Sequence, residues 1–487
     1  MADNAINRGS QMVTWKSDAV VVPIIPGNSG IGKDGTQVGL VQGKHLLYAG
    51  IGEEMGTKLD RIREMSTANP KMVFTSLYHL INEDLLLECH KEIDGNKAAG
   101  VDSVTKAEYE ANLDENIKDL VECLKRKAYK PQPSLRVFIP KVNGKLRPIG
   151  MAAYEDKLVQ SALGRILMAV YEPKFRSSMF GFRPNLGCHD ALKELNRQIE
   201  KCKTNYVVDA DVKGFFNNME HEVILELIKF RIADPNILWL TRKLLTAGVV
   251  ENGIWQPTIK GSEQGNLASP VIANIYMNYA LAMWFDIMFK KECKGECGLV
   301  IYADDFVATF QYKEEAAKFL AAVQERFIRF GLELEQTKTR MVEFGRFAEQ
   351  NRKARGEGKP ETFDFLGFTH SCSKNNKNGW FSVRRRTANK KQRMKLKEMN
   401  LWLKQNRNLR LKDLIGMLNL KLRGHYQYYG INGNVDCTAD FMYFTQLMLF
   451  KWLNRRSQRK SYTWDGFNQL LKVFPLARPR VYFNIYA

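Results

Sequence analysis

Hydrophobic positions along this chain follow two periods, and the places where one gives way to the other set out its elements. Between about Thr57 and Lys127, helical patterns alternate around a Gly-containing break, Lys97-Ala98-Ala99-Gly100-Val101-Asp102. Two extended segments follow, Leu135–Lys141 and Leu146–Gly150, joined by Val142-Asn143-Gly144-Lys145, and Asn-Gly between extended runs predicts a hairpin. In Tyr154–Tyr171, the apolar residues Leu158, Val159, Ala162, Leu163, Ile166, Leu167 and Val170 predict an amphipathic helix. An aromatic-basic loop, Phe180-Gly181-Phe182-Arg183-Pro184, leads to a second helix from about His189. Tyr206–Phe216 reads as a buried strand ending in acid, and Gly261–Asn266 as a loop. Ser269-Pro270 is an N-cap followed by proline at the first helical position, opening a helix to about Lys291.

Leu299–Phe310 is an apolar run broken by Asp304-Asp305, a β-hairpin with the acids at or beside its turn. A helix is expected from about Lys313 to Phe330, then strands at Gly331–Lys338 and Phe363–Phe368, with Arg346–Pro360 as an exposed loop between them. From about Thr387 the pattern turns helical and basic, with helices at Lys390–Gln405 and Leu411–Tyr429. The fold class this predicts is α+β.

Charge adds direction. The net charge is +20, and Ser371–Ala487 holds 24 Lys and Arg against 5 Asp and Glu, so almost all the excess lies there. A block of one sign suits a phosphate backbone better than a solvated helix face, which would mix signs. Aromatics interleave with cations in Arg423–Tyr429 and around Lys451–Arg456, as they do where single strands and helical backbones bind. No run of 18 apolar residues occurs and Met1–Ser10 does not resemble a signal peptide, so an intracellular, non-membrane protein is expected. The eight cysteines form no disulfide pattern, and Cys293 and Cys297 lack a second pair at zinc-finger spacing. Residues 1–56 are Gly-rich and aperiodic, a flexible extension. Their Gly27–Asp34 stretch nearly fits a phosphate-binding loop but has Asp34 where Ser or Thr should reach magnesium, and Gly35, Gly39 and Gly43 replace the expected helix.

Adjacent carboxylates repel, and burying them without a partner is costly, so Asp304 and Asp305 imply either an exposed turn or a cation. Asp209 and Asp211 project to one face of their strand, and either could join that pair if the strands are adjacent. Lys141 and Arg147, near the first hairpin's tip, suit a triphosphate. A three-residue loop would put them on the same face and a two-residue loop on opposite faces, and the sequence leaves both open.

The ordered series is more specific than its members. Lys141 and Arg147, Phe180–Pro184, Asp211 with Phe216, Gln264-Gly265 before the Ser-Pro helix start, Tyr302-Ala303-Asp304-Asp305, Gly331-Leu332 with Lys338, and Phe365-Leu366-Gly367-Phe368 resemble successive reverse-transcriptase blocks. From about Thr57 onward the chain resembles bacterial group II intron-encoded proteins, which combine reverse transcriptase and maturase. The resemblance implies a right-hand polymerase followed by a helical thumb and maturase region. It implies fingers over 57–205, a palm over 206–375, thumb and maturase helices over 376–450, and a basic nucleic-acid-binding segment over 451–487. Asp211, Asp304 and Asp305 match the catalytic acids that hold two magnesium ions, with the Val212 carbonyl as a further ligand. Lys141 and Arg147 match the grip on the incoming dNTP, Phe216 the gate against a ribose 2′-OH, and Gln264 the lining of the nucleotide pocket. Arg183, Lys338, Arg384, Arg385, Lys390, Lys391, Arg423, Arg455, Arg456 and Arg459 are expected to contact nucleic acid.

The implied partners are intron RNA in a ribonucleoprotein, an RNA template with a DNA primer, target DNA and dNTPs, in the bacterial cytoplasm. The family commonly has Pro-Gln-Gly where this chain has Glu263-Gln264-Gly265, an acid beside the nucleotide pocket. No HNH-like endonuclease with paired cysteines follows the basic region, so the primer is expected to come from elsewhere. Two other uses of such a chain are a reverse transcriptase in phage defence or CRISPR spacer acquisition, and a non-catalytic RNA-binding splicing factor.

Overall fold

A computed structural model describes residues 53–140, 146–375, 378–458 and 461–486. The first hairpin forms as β1 (Ser134–Pro140) and β2 (Leu146–Met151). Its register pairs Ile139 with Arg147 and Pro140 with Leu146. Lys141 itself lies outside the described residues, as do the extension through residue 52 and Arg459.

A second sheet carries the acidic stretches. Its strands are β3 (Tyr206–Asp211), β6 (Cys297–Tyr302), β7 (Asp305–Phe310) and β8 (Arg340–Glu343), in the order β6-β7-β3-β8 with antiparallel neighbours. Two short strands, β4 (Val249–Glu251) and β5 (Ile254–Gln256), complete the first sheet as β2-β1-β4-β5. Between β6 and β7 only Ala303 and Asp304 remain to turn the chain, and Ala303 takes φ +58° to do so. A left-handed residue matches the twist of a two-residue hairpin, at a steric cost for any side chain. The Phe180 loop presses on this turn: a Cβ on Gly181 would lie 2.6 Å from the Ala303 nitrogen. Phe180 donates its N–H to the Ile301 carbonyl (2.9 Å), and Asn274 fixes the Gly181 carbonyl (2.8 Å).

The sheet's inner face packs on aromatic rings, with Phe306 and Phe310 meeting Phe285, Phe289, Phe319 and Phe327. The Tyr154–Tyr171 helix is not the half-exposed helix its pattern suggested, because it is buried on nearly every side. Its buried charged residues have partners inside the protein. Arg165 pairs with Glu88 (3.4 Å) and Glu92 (2.5 Å), and Asp156 accepts from the Gln132 N–H (2.9 Å) and the Tyr129 hydroxyl.

Three other expectations change. Gly331–Lys338 is not a strand: only Leu334 bridges to Val212, and the chain turns at Glu335, whose carbonyl accepts from Lys338 and Thr339, before β8 begins. Arg346–Pro360 contains a helix, Ala348–Ala354. A third sheet, β11-β10-β9, joins β9 (Phe363–Phe365) and β10 (Phe368–Lys374) to β11 (Phe381–Thr387), all antiparallel neighbours. Val383, Arg385 and Thr387 are buried while Arg384 and Arg386 are exposed, a strand alternation hidden by three consecutive arginines.

Helices Asn389–Asn406, Leu411–Tyr429, Val435–Leu453 and Trp464–Val473 follow, packed around Leu403, Leu418, Leu422, Tyr426, Leu449 and Leu453. The last residues return to the sheets. Tyr482 donates to Gly430 (2.7 Å), Phe483 stacks on His189 (5.0 Å), and the Tyr486 hydroxyl donates to Val383 (3.0 Å). No helix among the described residues is long and apolar enough to cross a membrane.

Candidate active site

The apolar run of β3 ends at Asp211, which stands directly opposite Asp305 in β7. Residues so opposed have Cβ atoms about 4.5–5.5 Å apart. Asp304 occupies the adjoining turn, and its carbonyl accepts the Val212 N–H (3.1 Å), which ties the turn to the end of β3. The three acids therefore meet at one end of the sheet. Asp209 lies two residues back, opposite Val307 and Arg340, with Arg340 3.5 Å from its carboxylate.

Their electrostatics are those of crowded carboxylates. Burial first, then the charge of Asp211, pushes Asp304 up to about 6, with Lys338 and Arg147 pulling the other way. Burial and the charges of Asp209, Asp211 and Asp304 hold Asp305 well above the usual range. Burial also raises Asp209 to about 7, against the pull of Arg340. Lys338 places its ammonium on the Asp211 carboxylate. Among the described residues no three His, Cys, Asp or Glu side chains are gathered closely enough to hold a metal ion. The donor set nevertheless fits a hard divalent cation: anionic oxygens crowd one end of the sheet, and Lys338 and Arg147 only partly offset their repulsion.

Around the acids, Arg147 reaches from β2 to within electrostatic range of Asp304. Phe216 lies edge-on to Phe182 (6.3 Å) and Phe215 (5.5 Å). The Gly261–Asn266 loop joins this wall to the first sheet, since Ser262 donates to the Phe216 carbonyl (2.7 Å) and Gln264 accepts from the Gly150 N–H (2.8 Å). Glu263, the departure from the family pattern, is paired with Arg136 (2.7 Å). Sequence reading missed Arg136, whose one signal was a cation in an apolar strand.

The expected nucleic-acid contacts divide. Two are corrected. Arg183 is half-buried, forks onto Glu172 (2.8 Å) and donates to the Arg176 and Met179 carbonyls, so its donors are spent holding the Phe180 loop. Arg385 is fully buried, bonded to Asn196 (2.7 Å) and the Val383 carbonyl, out of reach of any backbone. Arg384 is exposed but pairs with Asp436 (3.1 Å), and Arg456 donates to Leu409 (3.0 Å). Lys390, Arg423 and Arg455 are exposed, Arg455 over the Trp452 ring (5.7 Å). Lys391, at the start of the helical region, is half-buried within electrostatic range of Lys338, Arg147 and Asp305. A cavity of about 1780 Å³ lies elsewhere, between the Cys188–Lys201 helix and the β10–β11 hairpin, and none of the three acids lines it.

An antiparallel sheet that presents three carboxylates at one end, beside a smaller strand layer and ahead of a helical bundle, defines a right-hand polymerase fold. Residues 139–370 match the family described as reverse transcriptase (RNA-dependent DNA polymerase), and residues 389–469 match the group II intron maturase-specific domain. In these two segments the chain is similar to group II intron-encoded reverse transcriptase–maturase proteins. It is 36% identical over 222 residues to the group II intron-encoded protein LtrA of Lactococcus lactis subsp. cremoris, a match covering 45% of this chain and 37% of that protein. It is 30% identical over 225 residues to protein YkfC of Escherichia coli K12, covering 45% of this chain and 59% of that one. An uncharacterized 91 kDa protein in the cob intron of Schizosaccharomyces pombe is 30% identical over 224 residues, covering 45% of this chain and 28% of its own length. The matches thus span between 28% and 59% of these relatives' lengths.

Proposed function

We propose that this protein is an RNA-directed DNA polymerase of a group II intron, copying intron RNA during retrohoming and assisting its splicing as a maturase. The observation that carries the reading is the register of β3 against β7, which brings Asp211 to Asp305 beside Asp304. Asp211, Asp304 and Asp305, with the Val212 carbonyl, would hold two magnesium ions. Such ions, when bound, lower the pKa of the primer 3′-OH and neutralise the leaving pyrophosphate.

The remaining roles belong to the chain's own side chains. Arg147, with Lys141, grips the triphosphate, and the guanidinium offers a bidentate fork that a lysine cannot. Phe216 closes the wall where a ribose 2′-OH would project, while Gln264 lines the pocket from its loop. Lys338 balances the Asp211 carboxylate, a charge that a bound metal ion would also neutralise. The basic helices from Asn389 onward bind the template–primer and the intron RNA, with target DNA as a further partner. Their excess of cations supports this through the phosphate backbone.

The test is extension of a DNA primer on an RNA template by the wild type and by Asp304→Ala, alongside RNA binding. The variant should lose extension and keep RNA affinity. Wild-type-like extension by Asp304→Ala would remove the acids from the mechanism.

A further inference from the structure

Arg136 and Arg147 lie on neighbouring strands of the first sheet, yet they face opposite ways. Arg147 is opposite Ile139 and Arg136 is opposite Gly150, so their side chains leave the sheet on different faces. Arg147 looks toward the acids. Arg136 instead joins two carboxylates from separate segments, Glu263 in the Gln264 loop (2.7 Å) and Glu251 in β4 (3.4 Å). All three side chains are largely withdrawn from water, at 23% exposure for Arg136, 17% for Glu263 and 25% for Glu251. A pair so placed is screened less than a surface pair and holds its geometry better.

The loop is built to lie flat on β2 at this point. Gly150 donates its N–H to the Gln264 carbonyl (2.8 Å). A Cβ on Gly150 would sit 2.9 Å from the Glu263 carboxylate, and one on Gly265, which takes φ +119°, would run into the Gly150 carbonyl. On its other side the loop is tied by backbone to Phe216 (2.7 Å), and the Ser269 hydroxyl donates to the Glu263 carbonyl (3.1 Å). The Glu263 carboxylate is therefore the side-chain link from this loop to β1, and Arg136 is what it holds.

We propose that Arg136 is a positioning residue for nucleotide binding, clamping the Gln264 loop to the first sheet through Glu263 and so setting the pocket's affinity for the incoming nucleotide. This rests on the polymerase reading. The clamp touches neither the primer end nor the acids, so it acts on substrate affinity and not on the chemical step. It also eases the charge problem that Glu263 poses, because the guanidinium offsets part of the negative charge that would otherwise repel a triphosphate.

The experiment measures RNA-templated primer extension by the full chain against dTTP concentration, for wild type, Arg136→Met, Arg136→Lys, Glu263→Gln and Arg136→Met/Glu263→Gln, with thermal midpoints. Arg136→Met should raise KM about tenfold with kcat within about twofold, the signature of lost uniform binding. Arg136→Lys should recover part of that loss. The double variant should fall back to the level of Glu263→Gln alone, since the two residues act as one unit. A KM unchanged in Arg136→Met, with only the midpoint lowered, or a double variant showing the product of the two single effects, overturns the clamp and leaves the polymerase reading standing. Wild type that extends no primer overturns the polymerase reading and the clamp together.

Discussion

Replacing Asp304 by asparagine should stabilise the cation-free protein at alkaline pH while abolishing polymerisation. The carboxyl of Asp304 is pushed up to about 6, by burial first and by the charge of Asp211 second. A raised carboxylate pKa means that the folded chain favours the protonated form. The stability this group contributes is complete below its unfolded value of 3.8 and is lost as pH rises through about 6. A shift of roughly two units corresponds to about 3 kcal/mol. Partial solvent access at the hairpin tip lowers that to roughly 1–2 kcal/mol. The amide keeps the shape and removes the charge, so it recovers this amount at pH 8. The assay is thermal unfolding of both proteins at pH 4.5 and pH 8, in chelator and in magnesium. In chelator at pH 8 the variant should melt a few degrees higher, about 2–4 °C for each kcal/mol, and the gap should narrow at pH 4.5. Magnesium should raise the midpoint of the wild type, by preferential binding to the folded state, and scarcely move the variant. A variant that melts lower than wild type in chelator at pH 8, or responds to magnesium equally, would refute the electrostatic argument.

Two further outcomes follow from the packing. Phe216→Val opens the wall beside Phe182 and should shift the ratio of kcat/KM for ribonucleotides over deoxyribonucleotides upward by at least about tenfold; an unchanged ratio would remove Phe216 from sugar discrimination. Arg165→Met strands Glu88 and Glu92 inside the core and should cost about 3–5 kcal/mol, read as a loss of thermal midpoint. A midpoint within a degree of wild type would show that those carboxylates take up protons at no cost.

Much of the site was legible because it is local. The apolar runs on both sides of Asp304-Asp305 could only be paired strands, and with two residues left for the turn the acids had to sit at the tip. A period of two put Asp209 and Asp211 on one face and the family resemblance favoured Asp211; the register places Asp211 opposite Asp305 and leaves Asp209 to Arg340. Cations were the least legible residues. A charge count treats every arginine as surface, whereas Arg165 and Arg385 are held inside by partners far away in the chain, and Arg183 by the nearby Glu172. The run Arg384-Arg385-Arg386 hid β11 for the same reason, since burial of its middle member depends on Asn196 in a different element. Lys338 shows the same limit: its distance in sequence from Asp211 gives no sign of the ion pair they make.

The most direct measurement is a crystal structure with manganese, an RNA template, a DNA primer and a non-reactive nucleotide, with metal located by anomalous scattering. Metal density touching the carboxylates of both Asp211 and Asp304, with the Lys338 ammonium moved off Asp211, is the predicted result. Density elsewhere, with Lys338 still seated on Asp211 and a nucleotide bound, would contradict the account.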